Sequence, residues 1–194
     1  MIYTHALLLL YWIGYCLLHS LLATDWLKNK LYKLPLFNTN SYRITYNLLA
    51  VVLLLWLCWY QLKVESPPIF KTGVGTTIIA VFLIIGGLLI MGICMKKYFR
   101  EMSGLYTNAV DILQVKGLHQ FVRHPLYFGT FSFIAGIFVY WPYYKNAVVL
   151  ATIIIYTLLA IGLEEKKLLK QFGEDYRQYR ENVPMIIPFI TFGK

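Results

Sequence analysis

VGTTIIAVFLIIGGLLIMGICM, residues 74–95, carries no charged side chain. A bilayer core roughly 30 Å thick takes about 20 apolar residues of helix, so this stretch reads as a membrane span. Four more apolar runs lie around it, at approximately 2–23, 44–62, 126–141 and 147–163. The run at 126–141 is shorter than a perpendicular span, which predicts a tilted helix or one paired with the next as a tight hairpin through Trp141, Pro142 and Tyr143. The first run lacks a basic leader and is too long for a signal-peptide core, so it reads as a span.

Composition agrees with this class. Of 194 residues, 59% are hydrophobic and 14% charged, more apolar surface than a soluble domain of this size can hide. The net charge of +9 does not indicate a nucleic acid partner, because the Lys and Arg flank apolar runs instead of forming the basic face of a soluble module. They act as topology signals: Lys28, Lys30, Lys33 and Arg43 in the first connection, and Lys96, Lys97, Arg100, Lys116 and Arg123 in the third, place those connections in the cytoplasm. The N-terminus is then outside and the C-terminus cytoplasmic. Membrane lipids are the surroundings, and a compact chain of this kind suits a bacterial inner membrane.

Beyond the fifth run the chain becomes charged, yet Leu168, Leu169, Phe172, Tyr176 and Tyr179 recur at helical spacing, predicting an amphipathic cytoplasmic helix. The expected fold is an all-α integral membrane protein of about five transmembrane helices plus that C-terminal helix. It forms a single membrane domain over 1–194, with a three-helix part at 1–95 and a cofactor-binding part at 96–194. Gly73, Gly75, Gly86, Gly87 and Gly92 read as close helix contacts. Cys16, Cys58 and Cys94 sit in separate apolar runs with no CxxC or Cys/His spacing, which predicts small buried side chains and no metal.

The chemistry concentrates in two segments. In GLHQFVRHPLY, residues 117–127, Arg123 and His124 stand at the mouth of a span and Pro125 sits where a helix begins, a position that suits a residue without an N–H. The free amides of that helix start, joined by Arg123, predict an anion site. In LEEKK, 163–167, Glu164 and Glu165 stand where the fifth span meets the cytoplasm and could hold a cation. An anion site and a cation site beside an apolar cavity suit S-adenosylmethionine, whose amino-acid end is zwitterionic and whose sulfonium is positive. Methyl transfer then needs mainly placement of donor and acceptor.

RHPLYFG at 123–129, Glu164-Glu165, FGEDYRQY at 172–179 and VPMIIPF at 183–189 together resemble the isoprenylcysteine carboxyl methyltransferase and phospholipid methyltransferase superfamily over roughly residues 111–190. HSLLA at 19–23 and YRITYN at 42–47 resemble its NnrU-type and methanethiol S-methyltransferase branch. The resemblance implies cofactor contacts from Asp111, Ile112, Leu113, Gln114, His119, His124, Pro125, Leu126, Tyr127 and Glu164. It also implies that Arg123 braces the helix entrance or lies by the cofactor's amino-acid end. Two positions depart from the pattern: His119 stands where the family has Tyr, and Ala160 stands four residues before Glu164 where the carboxyl methyltransferases have an acceptor-binding Arg. His119, able to titrate near neutral pH, and Arg123 are therefore the candidate catalytic pair.

His19, Arg43 and Asn47 are polar residues at or near membrane depth and form the candidate acceptor site, with a structural hydrogen-bond cluster as the alternative. The sequence favours a small thiol or lipophilic acceptor over a carboxylate, which would lack the counter-charge missing at position 160. Two other readings remain open: an NADPH-dependent reductase, since sterol reductases share a similar RHP segment and a VPxxxxP tail, and a non-enzymatic NnrU-type membrane protein.

Overall fold

The computed structural model describes residues 2–33, 38–102 and 113–188. It is all-helical in its named elements: α1 (Ile2–Ala23), α2 (Asp25–Leu31), α3 (Thr39–Lys63), α4 (Val74–Met102), α5 (Pro125–Tyr140) and α6 (Tyr144–Asn182), with a 3₁₀ turn at Gly117–Gln120 before α5. Among the described residues four helices are long and apolar enough to cross a membrane, and α5, at 16 residues, is a shorter apolar one. Large apolar side chains point outward along the spans, among them Leu17, Leu55, Phe82, Leu89 and Leu159. An integral membrane protein presents such a surface to lipid.

Local chemistry sets the helix ends. Asn38 caps α3 in a reciprocal box with Ser41, starting the helix a turn before its apolar run. Thr24 accepts from the Leu27 amide and separates α2 from α1. The expected amphipathic C-terminal helix is present, but it is continuous with the fifth span: α6 runs 39 residues. Its LEEKKLLKQF stretch, 163–172, consists largely of strong helix formers and offers no place to stop. The axis bends at Gly173, whose φ of 54° and ψ of −122° lie where only glycine is unstrained.

The tight turn expected at 141–143 joins α5 to α6 and is pinned to the α3–α4 connection. Ile69 N–H donates to the Pro142 carbonyl at 2.6 Å and Tyr144 N–H to that of Pro67 at 3.1 Å. Ser66 Oγ accepts from the Lys145 amide and hydrogen-bonds His5 Nε2. Cys16 and Cys94 are buried, as small apolar side chains should be, whereas Cys58 is exposed.

The closest helix contact is α4 against α5. A Cβ on Gly87 would lie 2.6 Å from the Gly129 carbonyl oxygen and the Phe133 amide nitrogen, and one on Gly136 would lie 2.9 Å from the Ala80 carbonyl. Gly73, Gly75, Gly86 and Gly92, expected to share this role, face open space instead. Positions 80, 84, 87 and 91 follow one another at helical spacing and form the seam, while 86 and 92 fall off it. Alanine at Gly87 or Gly136 should therefore force the two backbones apart and cost about 1–3 kcal/mol, on the order of 5–10 °C in melting temperature in detergent, while Gly86→Ala should cost nothing measurable. Equal melting temperatures for all three variants would refute the seam.

Candidate functional site at the charged end of the bundle

The arrangement begins with a local break. Gly117, at φ 71°, turns the chain into the short 3₁₀ helix. Val122 is buried, and Pro125 occupies the first turn of α5 with His124 as the flanking residue. His124 supplies the first α5 carbonyl, which accepts from Phe128 N–H at 3.1 Å. The amides of Arg123 and His124 donate instead to the Pro184 and Met185 carbonyls, at 2.8 and 3.1 Å. The VPMII tail thus closes over the RHP segment.

Side chains tie the same pieces together. Arg123 Nε donates to Glu165 Oε1 at 2.8 Å, and its Nη1 donates to the carbonyls of Arg180, at 2.9 Å, and Val183, at 2.5 Å. His124 Nε2 hydrogen-bonds the same Glu165 oxygen at 3.2 Å, and Arg180 Nε stands 3.9 Å from the other. Tyr127 hydroxyl donates to Glu164 Oε2 at 3.1 Å, with His124 Nδ1 3.9 Å from that oxygen. One histidine therefore lies between two neighbouring carboxylates.

The two glutamates differ in setting. Glu165 keeps 11% of its side-chain surface exposed and Glu164 keeps 44%. Burial would raise the Glu165 carboxyl, but hydrogen bonds from His124 and Arg123 outweigh it and bring the pKa down to about 2. Tyr176, 1% exposed, packs below; burial first, and then the Glu165 charge, push its hydroxyl up.

Not every candidate residue joins this cluster. Arg123 occupies the bracing position, its guanidinium engaged by Glu165 and two carbonyls. His119 Nδ1 hydrogen-bonds the Arg123 carbonyl at 3.0 Å, and its own carbonyl accepts from Tyr179 at 2.7 Å, so it buttresses the turn. Pro125 is buried, while Leu126, Leu113 and Gln114 are half-buried nearby in sequence. Asp111 and Ile112 lie outside the described residues. The sequence does not single out Arg180 or Tyr176 as site residues; Glu165, read there with Glu164 as a possible cation holder, is taken up by Arg123 and His124 and extends the buried line Thr157–Ile161 by one more turn.

Between α1, α3, α4, α5 and α6 lies a cavity of about 410 Å³. Of the acceptor trio His19, Arg43 and Asn47, only His19 lines it. The partner of His19 is Tyr46, whose hydroxyl stands 2.9 Å from Nε2 and 3.1 Å from Nδ1. Tyr156 lines the same end and hydrogen-bonds Ser20 at 2.9 Å.

A family described as a protein of unknown function, DUF1295, matches residues 30–183. The chain belongs to this family. The match takes in the RHP segment, both glutamates and Tyr176. The chain is also similar to a methanethiol S-methyltransferase of Crocosphaera subtropica, 43% identical over 48% of this chain and 34% of that protein. A methanethiol S-methyltransferase of Pseudomonas deceptionensis is 29% identical over 75% of this chain and 59% of its own length. A protein-S-isoprenylcysteine O-methyltransferase of Schizosaccharomyces pombe is 32% identical over 47% of this chain and 39% of its own. The chain thus spans between a third and three fifths of the length of these relatives. The superfamily resemblance read from the RHP, EE and FGEDYRQY segments agrees with these matches. No solved structure matches the chain.

In this DUF1295 protein the Glu165 charge should stabilise the fold fully above about pH 4.5, the ordinary carboxyl value, and lose that contribution as pH falls toward about 2. Glu165→Gln leaves Arg123 without its counter-charge and should cost about 3–5 kcal/mol near neutral pH. The gap in melting temperature between wild type and variant should close as pH drops through that window. A gap that is the same at pH 7 and pH 3 would contradict the ion cluster.

Proposed function

We propose that the chain is a membrane-embedded S-adenosylmethionine-dependent methyltransferase, with its N-terminus outside and its C-terminus in the cytoplasm of a bacterial inner membrane. The observation that carries this reading is the cluster of Arg123, His124, Tyr127, Glu164 and Glu165, in a chain similar to proteins named as S- and O-methyltransferases.

The residues fit the cofactor's charges. Among the described residues no Lys or Arg pairs with the half-exposed Glu164 carboxylate, which is oriented by Tyr127 and suits a cation. The first α5 amide bonded within the helix is that of Phe128, so the Leu126 and Tyr127 amides are positioned to receive a carboxylate. S-adenosylmethionine, when bound, supplies a methyl group on a positively charged sulfur.

The protein's part is placement. Glu165 and Arg123 hold the RHP segment and the VPMII tail to α6, and Glu164 and the α5 start orient the two ends of the donor's amino-acid group. Bringing donor and acceptor into line supplies roughly 7–11 kcal/mol in favourable intramolecular reactions, so neither metal nor covalent nucleophile is needed by this scheme. A thiol acceptor is favoured over a carboxylate because, among the described residues, no Lys or Arg lines the cavity beside the cluster, and Ala160 leaves one turn of α6 without charge. Leu113, Gln114, His119 and Pro125 shape the cofactor side in this reading, with Asp111 and Ile112 preceding them in the chain.

Purified protein should bind S-adenosylmethionine and S-adenosylhomocysteine, measured by thermal shift and titration calorimetry in detergent, and should ignore NADPH. Glu164→Gln and His124→Ala should each weaken that binding about 10- to 100-fold, the usual cost of a lost charged hydrogen bond. Stabilisation by NADPH alone, or wild-type affinity in both variants, would overturn the assignment.

A further inference from the structure

The cavity has a direction. On α6 its wall runs from Asn146 to Thr157, roughly 16 Å along the helix axis. Between these ends the wall is largely apolar, built by Met91, Phe133, Ile134, Ile137, Val149 and Ile153, with Trp12, Cys16 and Cys58 beside them. The far end is closed by amides bonded to one another: Gln61 Nε2 donates to Asn146 Oδ1 at 2.8 Å, and Asn146 Nδ2 to the Trp141 carbonyl at 2.8 Å. Thr130 bonds the Leu126 carbonyl of its own helix. This leaves His19, held by Tyr46, as the strongest base on the wall.

The His19 end is the one near the cofactor cluster. Thr130, on the cavity wall, is one helical turn from Tyr127, about 5 Å along α5. Tyr156, on the same end of the wall, lies about two turns of α6 before Glu164, which the Tyr127 hydroxyl binds. An acceptor in the cavity would therefore present its reactive end to His19 and to the donor together.

Size selects the acceptor. A cavity of about 410 Å³ falls within the roughly 300–1,000 Å³ of sites for drug-sized ligands. Methanethiol, with two non-hydrogen atoms, would leave most of it empty.

We propose, resting on the methyltransferase reading, that this cavity is an acceptor chamber for an uncharged, lipid-soluble thiol with an extended apolar tail, and that His19 takes the thiol proton. The tail lies along α6 toward Asn146, and the sulfur sits beside His19. As the sulfur lone pair forms the new S–CH₃ bond, the bond between methyl and sulfonium breaks and its electrons stay with the departing thioether. The thiol proton moves to a ring nitrogen of His19 and leaves afterwards to water. The products are a methyl thioether, S-adenosylhomocysteine and one proton.

The test uses the full chain in lipid nanodiscs with methanethiol, butanethiol and octanethiol as acceptors. Octanethiol should be the best of the three in kcat/KM. Ile153→Trp, which fills the middle of the chamber, should lower the octanethiol-to-methanethiol ratio at least tenfold, a comparison in which membrane partitioning cancels. His19→Gln should lower kcat about 100-fold or more, with S-adenosylhomocysteine affinity kept in both variants as the check on folding. An unchanged ratio in Ile153→Trp overturns the chamber, and near-wild-type kcat in His19→Gln overturns the proton role. S-adenosylhomocysteine binding without transfer to any thiol refutes this inference and leaves the cofactor assignment standing. Absence of that binding removes both.

Discussion

The charged end of the molecule depends on one carboxylate. Glu165 receives hydrogen bonds from Arg123 and His124 on the segment entering α5, and Arg123 in turn holds the carbonyls of Arg180 and Val183 beyond the Gly173 bend. Without that charge Arg123, 9% exposed, would keep its carbonyl acceptors but lose its counter-ion, and a buried charge left unpaired costs several kcal/mol. The burial that would favour protonation is overcome by two donors, so Glu165 is charged throughout the physiological range. The neighbouring Glu164 stands outside that brace, with Tyr127 and His124 facing its carboxylate.

The helical class was legible because lipid imposes it: backbone amides in hydrocarbon must be paired within a helix, and about 20 apolar residues are needed to cross. The RHP and EE segments were legible because charged and proline-bearing motifs are conspicuous beside such runs. Rotation of each helix about its axis was not. A helix that is apolar all round carries no stripe to say which face points inward. Gly86 and Gly87 look alike in sequence, yet only Gly87 meets α5. Arg43 and Asn47 share a face of α3, but the packing of α1 against α3 turns Tyr46 toward His19 instead.

The same limit explains the two glutamates. Adjacent residues on a helix point about 100° apart, so one of them had to face the bundle. The buried positions Thr157 and Ile161 lead to Glu165, and Tyr156 leads by way of Ala160 to Glu164. The brace and the cation-facing group of the proposed site are thus adjacent residues on α6. The bend at Gly173 then returns the chain so that Tyr176 and Arg180 come back beneath Glu165, which no periodicity in the amphipathic segment reveals.

The most direct test of the account is a structure of the full chain in lipid nanodiscs with S-adenosylhomocysteine bound. The account predicts the amino-acid end of the nucleoside between Glu164 and the Leu126 and Tyr127 amides, with its sulfur facing the His19 end of the cavity and the Arg123–Glu165 pair intact behind it. The ligand seated away from Glu164, or an Arg123 that leaves Glu165 to bind it, would contradict the division between a brace and a binding carboxylate.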